Sequence, residues 1–135
     1  MDIKQFISEN NVEQSNALID VKMLEQAERE VGVNFGEELT EYLLKYGYLA
    51  FEYVELYGMN SRQGLESDMV KQTRYLHKYF PATFAYVALE NQGEGDYYLV
   101  NSNDEVYEYF SEQGQLLKTG LTLFDYIVQR FEEAK

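Results

Sequence analysis

Residues 90–110 read ENQGEGDYYLVNSNDEVYEYF. Two turn-forming runs, ENQGEG (90–95) and NSNDE (101–105), separate the segments DYYLV and VYEYF, which are rich in aromatic and β-branched residues. Clusters of Gly, Asn and Asp between such segments mark tight turns. The preceding TFAYVAL (83–89) is apolar on both alternating faces, which reads as a central, covered strand. The three segments together predict an antiparallel meander. QLLKTG (115–120), after a turn at Gly114, reads as a further short strand.

Helical signals lie on either side. A short amphipathic start carries Ile3, Phe6 and Ile7. Asp20 is placed to cap a helix from Val21, with Leu24, Ala27, Glu28 and Val31 at helical spacing and Gly32 as its stop. Asn34, with Glu37 three residues on, forms a capping-box pattern for a second helix over GEELTEYLLKY, whose apolar stripe is Leu39, Tyr42, Leu43 and Tyr46. YLAFEYVELYGM (48–59) has strand composition, enough for two short strands. SDMVKQTRYLHKYF returns to helical spacing through Val70, Thr73, His77 and Phe80, and Pro81 ends it. The last helix starts at Thr122, with Asp125 completing a capping box and Phe124, Ile127, Val128 and Phe131 as its stripe. The fold class predicted is α+β, in a single domain spanning 1–135: N-terminal helices, an antiparallel sheet with one inserted helix, and a C-terminal helix.

Charge narrows the function. Eleven Lys and Arg face 24 Asp and Glu, a formal −13. That field repels phosphate backbones and anionic membranes, so neither nucleic acid nor membrane is expected as a partner. Acidity of this size also keeps a protein dispersed. Its distribution says more. No base occurs between Lys78 and Lys118, where Glu90, Glu94, Asp96, Asp104, Glu105, Glu108 and Glu112 all fall, while the bases gather at Arg62, Lys71, Arg74 and Lys78. Such segregation predicts a polarised surface suited to a basic protein partner. The N-terminus lacks a signal-peptide pattern, no apolar run reaches membrane-spanning length, and there is no cysteine, so a cytoplasmic location is expected.

Catalytic and metal readings find little to stand on. NSNDE lacks the glycine and the bidentate glutamate of a calcium loop, and reads as a turn held by Asx side chains. Paired carboxylates for glycoside cleavage would need a cleft that sequence does not display. His77 is the only histidine, no GxSxG elbow exists, and GEG precedes a strand rather than opening a helix. We therefore expect no catalytic residues, no metal and no cofactor. A small-ligand site would require a deep pocket near Glu90–Asp96. Thirteen tyrosines and no tryptophan remain to be explained. Glu105, Tyr107 and Tyr109 alternate with Val106 and Phe110, which gives one strand face an acidic, aromatic character, although Glu108 falls on the other face.

The order of elements resembles the SUKH superfamily, which groups yeast cell-wall regulators of the Smi/Knr type with bacterial immunity proteins. LEQAEREVGVNFGEELTEYLLKYGYLAFE (24–52) is similar to the family's glutamate-bearing helix and the step into its next helix. VALENQGEGDYYLVNSNDEVYEY (87–109) is similar to its strand, G-x-GD turn and hairpin, and TLFDYIVQRF (122–131) to its closing helix. Gly36 stands where the family commonly has proline. The resemblance implies a non-enzymatic domain and, in its bacterial branch, an immunity protein that neutralises a cognate toxin by direct contact. Taken with the acidity, the expected partner is a basic toxin such as an RNase or DNase, bound through Glu90, Glu94, Asp96, Asp104, Glu105 and Glu108 with Tyr107 and Tyr109 as anchors. The alternative it implies is a regulatory interaction module with no toxin.

Overall fold

In the computed structural model, described for residues 1–15, 19–59 and 67–135, helices and antiparallel strands share one apolar core that runs from Ile3 to Phe131. The helices are α1 (Ile3–Glu9), α2 (Val21–Val31), α3 (Glu37–Lys45), α4 (Met69–Tyr79) and α5 (Leu123–Ala134). The strands are β1 (Glu13–Gln14), β2 (Leu49–Phe51), β3 (Val54–Glu55), β4 (Val87–Gly93), β5 (Asp96–Val100), β6 (Glu105–Phe110) and β7 (Gln115–Thr122). They form two antiparallel sheets, β1-β2-β3 and β4-β5-β6-β7. The α+β class is as expected. The sheet is not single: the small one forms where β1 pairs with β2 through Glu13 and Gln14, both exposed. Backbone bonding carries that strand, so no apolar pattern announced it. Phe6, Phe51 and Phe131 pack edge-on and tilted against one another at 5.2–5.7 Å and tie α1, β2 and α5 together.

Helix α2 follows its local signals. Asp20 accepts from the Met23 amide at 2.9 Å, and Gly32 closes the helix in the left-handed conformation that glycine adopts without steric cost. Helices α3 and α5 do not. At α3 the residue before the helix is Gly36, which has no side chain to cap with. The amides of Glu38 and Leu39 instead donate to Asp104 Oδ2 and Oδ1, at 2.9 and 3.1 Å, from 66 and 65 residues away. Glu38 in turn reaches α5, where its Oε1 accepts from the Phe124 amide at 2.8 Å, and the Leu123 amide donates to the Asp104 carbonyl at 3.0 Å. The local capping boxes at Asn34–Glu37 and Thr122–Asp125 are thus replaced by carboxylates exchanged between distant elements. Gly36 is part of this clasp, since a Cβ there would sit 2.4 Å from Asp104 Oδ1.

The large sheet begins four residues later than TFAYVAL suggests. Pro81 opens a 3-10 turn over Pro81–Thr83, locked by Thr83 Oγ1 donating to the Phe80 carbonyl at 2.7 Å, and β4 then runs from Val87 through Gly93. The strand is not central: β4 is an edge of the four-stranded sheet, its buried half covered by α4. Both sheet faces are covered. Pairing places Tyr98 and Val106 on the face under α5, where the Tyr98 and Tyr126 rings lie 4.9 Å apart. Tyr97, Tyr107 and Tyr109 share the other face, where Phe80 packs on Tyr109 at 5.8 Å and Tyr86 on Tyr107 at 5.1 Å. The expected acidic, aromatic face of β6 is therefore turned towards α4 and its 3-10 turn.

Asp104→Ala removes a cap and leaves two amides at the start of α3 without their acceptor. It should cost about 2–3 kcal/mol of stability. Urea unfolding checks this, with Ser102→Ala in the same turn staying within about 0.5 kcal/mol of the parent.

Candidate partner-binding surface

The eight carboxylates and tyrosines singled out as partner-binding do not form one patch. Glu90, Asp104 and Tyr109 are only 5%, 7% and 2% exposed, and they face inward. Asp104 caps α3, and Tyr109 packs under Phe80. Glu90 receives a forked bond from Arg130, Nε to Oε1 at 3.0 Å and Nη2 to Oε2 at 2.6 Å, and the Tyr126 hydroxyl also donates to Oε1. Arg130 is completed by Glu133 at 3.1 Å and lies 5.7 Å over the Tyr98 ring. The bond to Glu90 holds the Arg130 guanidinium even further above its ordinary range. Burial, reinforced by the Glu90 charge, holds the Tyr126 hydroxyl neutral well above the usual tyrosine range.

The remaining five separate by position. Glu105 sits at the far end of β6, beside Asn101. Its carboxylate is held below the ordinary range by a hydrogen bond from Asn101 and by Lys118, 2.9 Å away. Asn101 Oδ1 also accepts from the amides of Asn103 and Glu105, the local Asx bonding expected of NSNDE. Tyr107 is half-buried against Tyr86. Glu94, Asp96 and Glu108 belong to the opposite end. There, Glu94 and Gly95 form a two-residue turn with both φ positive, 54° and 84°, closed by the Gly93–Asp96 pair. This geometry matches the right-handed twist of the flanking strands. The Ser111 amide donates to the Gly95 carbonyl at 3.1 Å, which brings the β6–β7 turn and Glu112 alongside. Asp96 and Glu108 are diagonal neighbours on adjacent strands, a relation that spaces side chains by about 7–8 Å. Gln92 Nε2 donates to Glu108 at 3.1 Å, yet none of Glu94, Asp96, Glu108 and Glu112 forms an ion pair among the described residues.

Beside this acidic end a cleft of about 540 Å³ opens between the two sheets. It is lined by Tyr53 and Glu55 of the β2–β3 hairpin, Tyr57, Gln72 of α4, and Glu90, Asn91 and Gly93 of β4. Tyr57 holds the sheets together at its inner end, its amide donating to the Leu89 carbonyl at 2.7 Å. Burial raises the Tyr57 hydroxyl above its ordinary value, Tyr97 and Glu90 act in the same direction, and a hydrogen bond with Asn91 opposes them. The sequence reading placed Tyr53 and Tyr57 on strands but had no means of seeing the gap that two diverging sheets leave between them. A different surface lies on the outer face of α4, where Lys71, Arg74 and Lys78 accompany the exposed rings of Tyr75 and Tyr79, tilted against each other at 5.0 Å, with exposed Phe84 beyond. Arg62, grouped with these bases in the sequence, lies outside the described residues. His77 is half-buried, its Nε2 2.8 Å from the Tyr86 carbonyl.

A family profile described as SMI1-KNR4 cell-wall matches residues 3–132. The chain belongs to the SUKH superfamily. No curated protein matches it. Within this SUKH chain the clasp joins the turn at 101–105 to helices α3 and α5, and the buried ion pair joins β4 to α5. No helix among the described residues is long and apolar enough to cross a membrane.

Glu90→Gln should destabilise by about 3 kcal/mol, because it leaves a largely buried guanidinium with only the half-exposed Glu133 as counter-charge, whereas Glu94→Gln should stay within about 0.5 kcal/mol; urea unfolding separates the two. Tyr42, Tyr57 and Tyr126 all have raised hydroxyl values in the fold. Their stabilisation is therefore fully present below the unfolded value of 10.0 and is lost as pH rises beyond it towards the folded values. Melting temperature should fall steadily above that pH, and Tyr126→Phe should flatten the fall.

Proposed function

We propose that this chain is an immunity protein that binds one cognate toxin domain, a basic nuclease, and blocks its substrate by occupying the phosphate-binding surface. The observation that carries the reading is the meander's turn end. Four carboxylates, Glu94, Asp96, Glu108 and Glu112, are gathered there by two tight turns and lack any paired cation among the described residues. Clustered like charges raise their own energy until a positive partner arrives. They also steer that partner, since complementary fields accelerate association beyond the neutral rate. Membership of a superfamily that includes toxin-immunity proteins supports the assignment. In this reading the protein acts in the cytoplasm by steric and electrostatic occlusion, without catalysis and without a cofactor.

A second reading rests on a different surface. The outer face of α4 combines cations with exposed aromatic rings, which fits an acidic protein segment and a regulatory interaction module without a toxin.

Titration against the C-terminal domain of the neighbouring gene's product, at low and high salt, tests the first reading. Tight binding whose association rate drops as salt rises supports it. Tight binding insensitive to salt keeps the toxin but moves the interface off the acidic turn end, and no binding at either salt hands the lead to the regulatory module. Glu94 provides a sharper expectation, because it is a non-glycine residue at φ 54°. Glu94→Asn should raise stability by up to about 1 kcal/mol, since Asn tolerates the left-handed region. The same change should weaken toxin binding, a trade visible by measuring unfolding and affinity on one sample.

A further inference from the structure

The cleft between the sheets has a composition of its own. Among the described residues that line it there is no Lys or Arg; it offers the rings of Tyr53 and Tyr57 and the Glu55 carboxylate, with the side chains of Gln72 and Asn91 alongside, the Asn91 Oδ1 already accepting from the Gly93 amide at 2.7 Å. Glu90 reaches it as well, but both its oxygens are engaged by Arg130 and Tyr126, so it contributes field rather than a free acceptor. Glu55 is exposed and makes no ion pair among the described residues. Tyr53, at 70% exposure, stands at the mouth on the tip of its hairpin, and Gly93 adjoins the opposite tip. An aromatic wall and a free carboxylate are what a desolvating cation needs. The protein already holds one arginine this way, Arg130 gripped by Glu90 over the Tyr98 ring.

We propose that the cleft receives an arginine or lysine side chain presented by a protein partner, with Glu55 as its counter-charge and Tyr53 closing over it. The cleft's volume, about 540 Å³, accommodates one such side chain with its waters. This deepens the immunity reading by naming the anchor that a basic partner inserts next to the acidic turn end, and it rests on that reading for the identity of the partner.

The test uses the full chain and capped peptides, acetyl-Gly-Arg-Gly-amide against its citrulline counterpart, in an amide chemical-shift titration at matched ionic strength. Saturable shifts at Glu55, Tyr57, Asn91 and Gly93 with the arginine peptide alone are expected. Glu55→Gln and Tyr53→Ala should each weaken that binding roughly five-fold, the size of one exposed cation–π or charge contact, with the rest of the spectrum unchanged. Equal response to citrulline, shifts confined to Glu94 and Glu112, or no response overturns the proposal. Stronger binding of free arginine than of the capped peptide overturns the protein source and makes the cleft a small-molecule site. Peptide binding without toxin binding leaves the cleft standing while the immunity reading falls; toxin binding with no peptide response does the reverse.

Discussion

Asp104 is an acid on a surface turn whose carboxylate is spent inside the protein. It caps α3 across 66 residues, and the same helix returns a carboxylate, Glu38, to the start of α5. A helix start leaves its first amides without partners, and burying them unpaired costs more than a made hydrogen bond gains. The meander's far turn, α3 and the closing helix α5 therefore cannot shift relative to one another without exposing several such groups. Gly36 belongs to the same constraint. The Asp104 carboxylate fills the space that a side chain at 36 would need. Substituting a larger residue at 36 and keeping Asp104 are incompatible demands.

That constraint redistributes the charge. Of the acids between 90 and 110, Asp104 and Glu90 are internal and Glu105 is paired with Lys118. What remains without a cation, joined by Glu112, is concentrated where two turns meet: exposed Glu94 and Glu112, and half-buried Asp96 and Glu108. The clasp holds one end of the sheet and frees the other. Tight turns keep the free end rigid, so a partner that docks there loses little loop entropy to order it. The cleft beside it adds shape to what would otherwise be charge alone.

Much of the fold was legible because its signals were local. Helix α2 announced itself by spacing, cap and glycine, α3 and α5 by their apolar stripes, and the β2–β3 hairpin and the turns of the meander by composition and glycines. What was not legible depends on residues far apart. No short window can show that Asp104 caps α3, or that Glu90 meets Arg130, 40 residues on. Alternation misled on β6 because helices cover both faces of its sheet, so period-two patterning no longer separates inside from outside. TFAYVAL misled because its apolar run continues through a 3-10 turn whose exposed ring, Phe84, is not strand. Of the candidate site, Glu94, Asp96 and Glu108 come together in space. Their neighbours in sequence do not, because a five-residue strand, about 13 Å from first to last residue at its rise per residue, separates the two turns.

The central claim is that one end of the meander, and not acidity in general, meets the partner. Charge reversal at each end decides it. The variant Glu94→Lys/Asp96→Lys/Glu108→Lys and the variant Glu37→Lys/Glu41→Lys/Asp125→Lys carry the same change in net charge at different places on the fold. Their association rates with the cognate toxin domain, measured side by side at physiological salt, should differ, the first falling at least ten-fold below the second. Equal losses in both would show that only net charge matters, and a larger loss in the second would place the interface at the clasped end and contradict the account.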